Sequence, residues 1–205
     1  PDTSLRLREH SGTELAHYAT KTVDIEFLYP WGWGELEGIA NRGIFDLSSH
    51  EKASGKDLSY FDSQNNEKII PTVIEPAGGL TRTLFALLCS CYDEDEVNDT
   101  TRTLFRFDFN IAPIQIGILP LSKKDELIEL SNNIKNILQE SYRTEIDVTQ
   151  SIGKRYRRQD EIGTPYCITV DFDSLEDNTV TIRNRDSMDQ ERVAITDLLG
   201  FFSDI

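Results

Sequence analysis

Two periodicities of apolar positions predict the elements of the first half of the chain. Segments in which apolar and polar residues alternate are predicted to be strands, and these are 22–28, 34–40 and 69–75. Segments in which apolar residues recur at helical spacing are predicted to be helices, and these are 9–18, 44–53 and 80–92. Gly55 is placed to end the second helix. An exposed hairpin through Gln64–Asn66 separates that helix from the third strand.

The second half of the chain alternates strands with helices. The predicted order is strand 114–119, helix 123–141, strand 144–148, helix 152–162 and strand 166–172. Two more strands, 179–185 and 190–195, and a short helix capped by Thr196 complete it. Ser151 and Gly163 mark the start and the end of the helix at 152–162. This alternation predicts a βαβαβ unit with a largely parallel sheet.

A shift in composition near residue 110 predicts a boundary between two domains, 1–110 and 111–205. The acidic segment Asp93–Asp99 is predicted to be a loop that ends the first block. A chain of 205 residues is long enough for two modest domains. The fold class expected is therefore α/β or α+β in two parts.

The charge balance limits the classes of partner. There are 36 acidic and 21 basic residues, and the formal net charge is −15. A protein this acidic does not hold nucleic acid through its overall field, so any such contact must be local. No segment reaches the roughly 18–20 apolar residues of a spanning helix, so a soluble protein without membrane contact is expected.

Cysteine and histidine usage predicts neither a disulfide framework nor a protein-held zinc ion. The three cysteines are an odd number and form no ligand spacing, which favours a reducing cytoplasm. The three histidines, His10, His17 and His50, form no pair at metal-ligand spacing.

The segment Ile74–Arg82 could bind an anion. Gly78 and Gly79 lie at a strand-to-helix turn, where glycine lets a ligand approach the backbone and a helix N-terminus attracts negative charge. Arg82, one turn into the helix, could hold a phosphate. Taken alone, the pattern is more typical of an ordinary glycine turn with Arg82 paired to a surface carboxylate.

The segment Trp31–Arg42 presents carboxylates on a strand. Glu35 and Glu37 are two residues apart, so period two predicts that they share one face. Carboxylates among apolar residues could bind an ammonium group or a metal ion. Spacing alone favours the alternative, a half-exposed strand whose polar face is hydrated.

Several segments in chain order carry a resemblance to a known family. They are Arg6–His10, Leu15–Ala19, Trp31–Arg42, Val73–Arg82, Leu119–Ser122, Gly153–Gly163 and Arg183–Met188. Together they resemble glycyl-tRNA synthetase of the homodimeric class II type. The resemblance covers nearly the whole chain and also accounts for the boundary near residue 110.

The resemblance implies a fold and an activity. Residues 1–110 would be the C-terminal part of a class II catalytic domain on an antiparallel sheet, with the third signature motif near 75–82. Residues 111–205 would be a compact anticodon-binding domain of βαβαβ type with a mixed sheet. The activity implied is ATP-dependent charging of tRNA with glycine through glycyl-adenylate. The implied partners are glycine, ATP with Mg²⁺, the anticodon region of a glycine tRNA and a second copy of the enzyme.

The resemblance also assigns residues to substrates. The positions that match the glycine-binding segment are Glu75, Pro76, Ala77, Gly78 and Gly79. The positions that match the ATP-binding segments are Glu35, Leu36, Gly79, Leu80, Thr81 and Arg82, of which Glu35 and Arg82 would be catalytic. No metal ion would be held by the protein alone, although Mg²⁺ could be shared with Glu35. The family's usual serine is replaced by Ala77, which removes a hydroxyl that could bind substrate.

A local basic patch is the candidate tRNA contact. It consists of Lys154, Arg155, Arg157 and Arg158 on the helix at 152–162 and of Arg183 and Arg185 on a strand. Taken alone, such a run is more often a face paired with neighbouring acids. The resemblance favours tRNA binding by the domain.

The first and second class II motifs have no match in this sequence. We therefore expect a fragment of a longer synthetase or a divergent relative. Residues 1–205 alone are predicted not to form glycyl-adenylate, because the arginine that grips the α-phosphate is missing. One alternative is a non-catalytic, synthetase-like accessory protein that binds nucleic acid. Another is a nucleotide-binding domain unrelated to tRNA.

Overall fold

The structure is a computed structural model that describes residues 2–97 and 99–205. The chain divides into two compact units, Pro1–Ser90 and Cys91–Ile205. The division lies about twenty residues before the boundary that the composition shift predicts. The residues between the two positions belong to the second compact unit.

The first unit is built on an antiparallel sheet. Its elements are β1 (Leu5–Glu9), β2 (Lys21–Tyr29), β3 (Gly32–Gly43), α1 (Phe45–Ser54), β4 (Tyr60–Asp62), β5 (Glu67–Ile69), β6 (Val73–Gly78) and α2 (Leu80–Cys91). The sheet has the order β1-β2-β3-β6, and β4 pairs with β5 in a separate hairpin. On one side of the sheet, Phe27 and Tyr29 of β2 pack against Ala86 of α2. The other side carries polar side chains and the cavity described below.

The predicted helix at 9–18 is wrong. The chain forms β1 up to Glu9 and then a series of turns, because β1 pairs along its whole length with β2. Arg6 lies opposite Glu26, and its Nε donates to the Glu26 carboxylate over 2.6 Å. Strand pairing overrides the local helical spacing.

The second unit is an α/β domain. Its elements are β7 (Tyr92–Val97), β8 (Thr100–Phe105), β9 (Ile116–Pro120), α3 (Asp125–Leu138), β10 (Thr144–Ile146), α4 (Ile152–Ile162), β11 (Tyr166–Val170), α5 (Ser174–Asp177), β12 (Thr179–Asn184), β13 (Gln190–Ala194) and α6 (Leu198–Ser203). The main sheet has the order β10-β9-β11-β12-β13. β9 runs parallel to β10 and β11, whereas β12 and β13 are antiparallel. The predicted class, an α/β fold with an antiparallel sheet followed by a mixed sheet, is confirmed.

The acidic segment 93–99 is not the loop that was predicted, although Asn98 lies outside the described residues. Most of it forms β7, whose carboxylates bind Arg102 of β8 and Arg106, which directly follows β8. Arg102 is buried between Asp95 and Asp160, and it also donates to the carbonyl oxygen of Arg185. These bonds attach the β7–β8 hairpin to the rest of the second unit. Thr196 is likewise not the cap of the last helix, which begins after Asp197.

Candidate active site and nucleic-acid interface

A cavity of about 290 Å³ opens on the polar side of the first unit's sheet. Strand register explains its composition. Asp24, Gly38 and Ala77 form one row across β2, β3 and β6, and Thr22, Ala40 and Glu75 form the next row. Residues in such rows project from the same face. All six line the cavity, together with Glu35.

Small residues form the floor of this cavity. Gly38, Ala40 and Ala77 leave the space between the carboxylates open. A Cβ atom on Gly38 would lie 3.4 Å from Oε1 of Glu35 and 3.5 Å from Oδ1 of Asp24. The carboxylates of Glu35 and Asp24 therefore both lie close to Gly38 on the cavity floor.

Arg42 holds the carboxylate of Glu75 in the cavity. Its Nη1 donates to Oε2 of Glu75 over 2.6 Å, while Nε and Nη2 donate to the Asp46 carboxylate over 2.5 and 2.9 Å. The guanidinium also lies 3.9 Å from the ring centre of Tyr18. Its hydrogen bonds lower the pKa of Asp46. Within the described chain Oε1 of Glu75 has no protein partner, so it is open to a cationic ligand.

His10 and Asp24 form a hydrogen-bonded pair at the cavity wall. The His10 Nε2 and Asp24 Oδ2 atoms are 2.6 Å apart, and this bond raises the pKa of His10. Sequence reasoning missed the pair because it placed His10 in a helix. The alternation of Leu5, Arg6, Leu7 and Arg8 was the available signal, since period two indicates a strand, and the strand ends directly before His10.

Glu35 and Arg82 meet at the edge of the cavity. The Nη1 atom of Arg82 donates to the backbone oxygen of Glu35 over 2.6 Å. The Glu35 side chain lines the cavity and has no hydrogen-bond partner in the part of the chain that the structure describes. Its carboxylate is therefore available to a ligand.

Glu35 and Glu37 do not share a face, which corrects the sequence prediction. The register between β2 and β3 shifts so that Glu35 lies opposite Glu26 and Glu37 lies opposite Ile25. Leu36 is the extra residue, and it packs against the cluster of Phe27 and Tyr29. A β-bulge of this kind breaks the period-two rule.

The remaining positions that the resemblance assigns to substrates do not line the cavity. Pro76 and Gly78 alternate with Glu75 and Ala77 on β6, so they face the opposite side of the sheet. Leu80 and Thr81 begin α2, and the backbone oxygen of Gly79 accepts a hydrogen bond from Thr83. Leu36 is in the apolar layer. The structure thus brings Glu35, Glu75 and Ala77 together and places Arg82 beside them.

The basic patch is divided between interior and surface. Arg155, Arg183 and Arg185 are only 3–6% exposed. Arg155 donates to the backbone oxygens of Pro120 and Asp147, and Arg185 donates to those of Phe107 and Gly163. Side chains this buried do not reach a phosphate, so we withdraw these three arginines from the candidate tRNA contacts.

The surface part of the patch is smaller than predicted. Lys154 is exposed, and the Arg157 side chain is 37% exposed. Arg158 donates through Nε and Nη2 to Asp147. Lys154 and Arg157 are therefore the least compensated cations of this helix.

Among residues 2–97 and 99–205, no cluster of three or more His, Cys, Asp or Glu is arranged as a metal site. None of the described helices combines the length and hydropathy of a membrane span.

Comparison with known domain families identifies the second part of the chain. Residues 115–205 match the family described as anticodon binding domain. The second unit therefore contains an anticodon-binding domain.

Relatives that match nearly the whole chain define the family further. Glycine–tRNA ligase of Ruminiclostridium cellulolyticum is 56% identical over 200 residues, which are 97% of this chain and 43% of the relative. The enzyme of Acetivibrio thermocellus is 54% identical over 97% of this chain and 43% of its own length. That of Treponema denticola is 52% identical over 96% of this chain and 45% of its own length. The chain belongs to the glycine–tRNA ligase family, corresponds to its C-terminal portion, and spans less than half the length of these relatives.

Proposed function

We propose that this chain forms part of a glycine–tRNA ligase, in which glycine and ATP give glycyl-adenylate and the glycyl group passes to tRNA. The first unit would supply one wall of the adenylate site, and the second unit would bind the anticodon region. The observation that carries the proposal is the cavity in which Glu75, Glu35 and Asp24 surround a floor of Gly38, Ala40 and Ala77.

The cavity suits the ammonium group of a small amino acid. An ammonium donates three hydrogen bonds, and the open oxygen of Glu75 is a charge-assisted acceptor that Arg42 holds in place. Glycine has no Cβ, so it can approach the floor more closely than other amino acids. Exclusion by contact discriminates against alanine better than the weak attraction of a methyl group could. Ala77 offers no hydroxyl, so recognition depends on the carboxylates.

The ATP positions lie at the other edge of the same cavity. The Nη1 atom of Arg82 donates to the backbone oxygen of Glu35, and the other N–H groups of Arg82 could bind the triphosphate. Glu35 is a suitable single ligand for Mg²⁺, which takes its other ligands from phosphate and water and would neutralise charge on the phosphates. Glycine bound at Glu75 would then lie beside the α-phosphate that its carboxylate attacks, with pyrophosphate as the leaving group.

The oligomeric state and the location of the full-length enzyme are also proposed from its resemblance to the family. We propose a homodimer for the full-length enzyme and a cytoplasmic location. An accessory protein that retained only the fold would keep tRNA binding without the glycine site. The retention of Glu75, Glu35 and Arg82 around one cavity favours the ligase.

An NMR titration of the 205-residue chain distinguishes a ligase, which binds glycine, from an accessory protein that binds only tRNA. Glycine is expected to shift the amide signals of Gly38 and Ala77, and L-alanine is expected not to. Glu75→Gln should weaken glycine binding about tenfold, because it removes a charge-assisted hydrogen bond. Glu67→Gln on the exposed strand β5 is the matched control and should bind as the parent does. Equal shifts with alanine, or equal binding by the two variants, would contradict the glycine site.

A further inference from the structure

The cavity of the first unit contains one side chain that the proposed function does not use. His10 directly follows β1 and lines this cavity together with Glu35 and Glu75. Its backbone N–H donates to the carbonyl oxygen of Thr22 over 3.0 Å, which fixes the residue against β2. Its side chain is 21% exposed. His10 is therefore held at the cavity wall and is open to molecules that the cavity binds.

The buried carboxylate of Asp24 orients the imidazole ring of His10. The Nε2 atom of His10 lies 2.6 Å from Oδ2 of Asp24, whose side chain is only 6% exposed. A carboxylate in this position accepts the hydrogen on Nε2, so the neutral ring has its lone pair on Nδ1. No residue that the structure describes forms a hydrogen bond with Nδ1. A histidine that a buried carboxylate orients, and whose second nitrogen is free, has the arrangement of a general base.

The other proton acceptors of this cavity are carboxylates that have other partners. Glu75 is bonded to Arg42 and would bind the glycine ammonium, while Glu35 would face the nucleotide. Asp24 accepts the hydrogen bond of His10. A carboxylate is ordinarily a weak base at neutral pH, with a pKa of about 4, whereas the ordinary pKa of an imidazole is about 6.5. His10 is therefore the best placed base of the cavity.

The charges around His10 raise its pKa. The hydrogen bond to Asp24 is the largest cause and Glu14 adds to it, whereas burial and the charge of Arg8 oppose it. The two glutamates of the cavity add further negative charge on the same side of the sheet. Because the pKa is raised above 6.5, the neutral ring becomes the main form only above that pH. A reaction step that requires the neutral ring must depend on pH in the same way.

We propose that His10 accepts the proton of the tRNA hydroxyl in the step that transfers glycine. The terminal ribose of tRNA must enter this cavity, because its hydroxyl oxygen attacks the carbonyl carbon of the bound glycyl-adenylate. A bond forms between these two atoms, the bond from the carbonyl carbon to the phosphate oxygen breaks, and AMP leaves with that electron pair. The hydroxyl proton passes to Nδ1 of His10 and then to solvent, while Asp24 stabilises the imidazolium. The inference rests on the proposed function, because it requires glycyl-adenylate in the cavity.

The test uses the full-length ligase whose C-terminal portion is this chain, and it measures the two steps separately. ATP–pyrophosphate exchange reports the formation of glycyl-adenylate, and single-turnover transfer from preformed adenylate to tRNA reports the second step. His10→Gln keeps an N–H group for Asp24 but has no basic nitrogen, so it should slow transfer about a hundredfold more than exchange. His50→Gln is the matched control on the exposed surface of α1 and should change neither step.

The pH dependence of transfer distinguishes a base from a residue that only supports the cavity. Transfer by the parent enzyme should become faster with rising pH and level off above the pKa of His10. Asp24→Asn should move the midpoint of this profile to lower pH, because it removes the carboxylate that raises the pKa. Transfer by His10→Gln should no longer follow this profile.

The outcomes separate the inference from the proposed function. If the parent enzyme gives no exchange, the proposed function fails and the inference fails with it. If exchange occurs and His10→Gln either transfers as fast as the parent or slows both steps equally, the inference fails alone. A selective loss of transfer that retains the pH profile of the parent would also overturn it. A selective loss together with loss of that profile supports His10 as the proton acceptor.

Discussion

Neighbouring arginines of α4 have different roles because their surroundings differ. Arg155 turns inward, where the carbonyl oxygens of Pro120 and Asp147 accept its hydrogens, whereas Arg157 faces solvent. The sequence shows only a basic run. The acceptors of Arg155 come from β9 and from the segment after β10, so its burial depends on tertiary structure that local periodicity does not report. A residue of a basic run is therefore a candidate RNA contact only if it is exposed as well as charged.

The His10–Asp24 pair predicts a pH dependence at the scale of one residue. The hydrogen bond to Asp24 raises the pKa of His10 above its ordinary value of 6.5, with Glu14 supporting and Arg8 opposing the shift. Because the folded pKa is raised, the pair stabilises the fold fully below pH 6.5 and loses this contribution as pH rises through the folded pKa.

An NMR titration of the histidine ring checks this expectation. Asp24→Asn should lower the titration midpoint of His10 and reduce the pH dependence of unfolding in this range. Asp57→Asn, in the loop before β4, removes a carboxylate that binds Lys68 and should leave the midpoint unchanged. A midpoint insensitive to Asp24→Asn would show that the pair does not form in solution.

At the scale of elements, hydrophobic periodicity predicted the strands and helices that bury one face. It missed the strand whose structure depends on ion pairs with another segment. The alternation in 22–28 and 34–40 and the helical spacing in 80–92 correspond to β2, β3 and α2. The helix at 152–162 has the predicted bounds, and Gly163 adopts the left-handed conformation that ends it. By contrast, β7 consists largely of acids, of which Asp95 pairs with the buried Arg102 of the next strand and Asp93 pairs with Arg106. Its strand structure follows from those ion pairs and carries no apolar pattern.

Two glycines that end helices give a matched prediction. Gly55 and Gly163 both have positive φ, 71° and 86°. A Cβ on Gly55 meets nothing within 4 Å, whereas one on Gly163 would lie 2.3 Å from Cδ2 of Phe107. Gly55→Ala should therefore cost only the backbone strain, about 1 kcal/mol. Gly163→Ala should cost about 1–3 kcal/mol more, because Phe107 must move.

Native-state hydrogen exchange measures these two costs separately. The opening free energies of α1 and α4 amides report the two helix ends in one experiment each. Equal losses in the two variants would mean that Phe107 does not pack against Gly163 as the structure shows.

For the whole molecule, the sequence offers candidate substrate residues but not their arrangement. The resemblance assigns Glu35, Glu75 and Arg82 to substrates, and the structure places all three at or beside one cavity. It did not predict that Arg42 holds Glu75, because that bond joins the end of β3 to β6 across the sheet. Nor could it predict the bulge that separates Glu35 from Glu37. Both features depend on strand register, which a single sequence specifies only through its alternating pattern.

The two proposed sites predict that substrate activation and RNA binding are separable in this polypeptide. The cavity of Glu75 lies wholly in the first unit, and the anticodon-binding domain lies wholly in the second. We expect residues 1–205 to bind the glycine anticodon stem-loop but to give no ATP–pyrophosphate exchange above a buffer control. Under the proposed function Arg82 would bind the triphosphate, yet the developing charge at the α-phosphate would lack the arginine of the second class II motif. Glu75→Gln should leave RNA affinity unchanged, because sites without shared residues contribute independently. Measurable exchange by the parent chain would contradict this division, since it would mean that the described cavity alone stabilises the transition state.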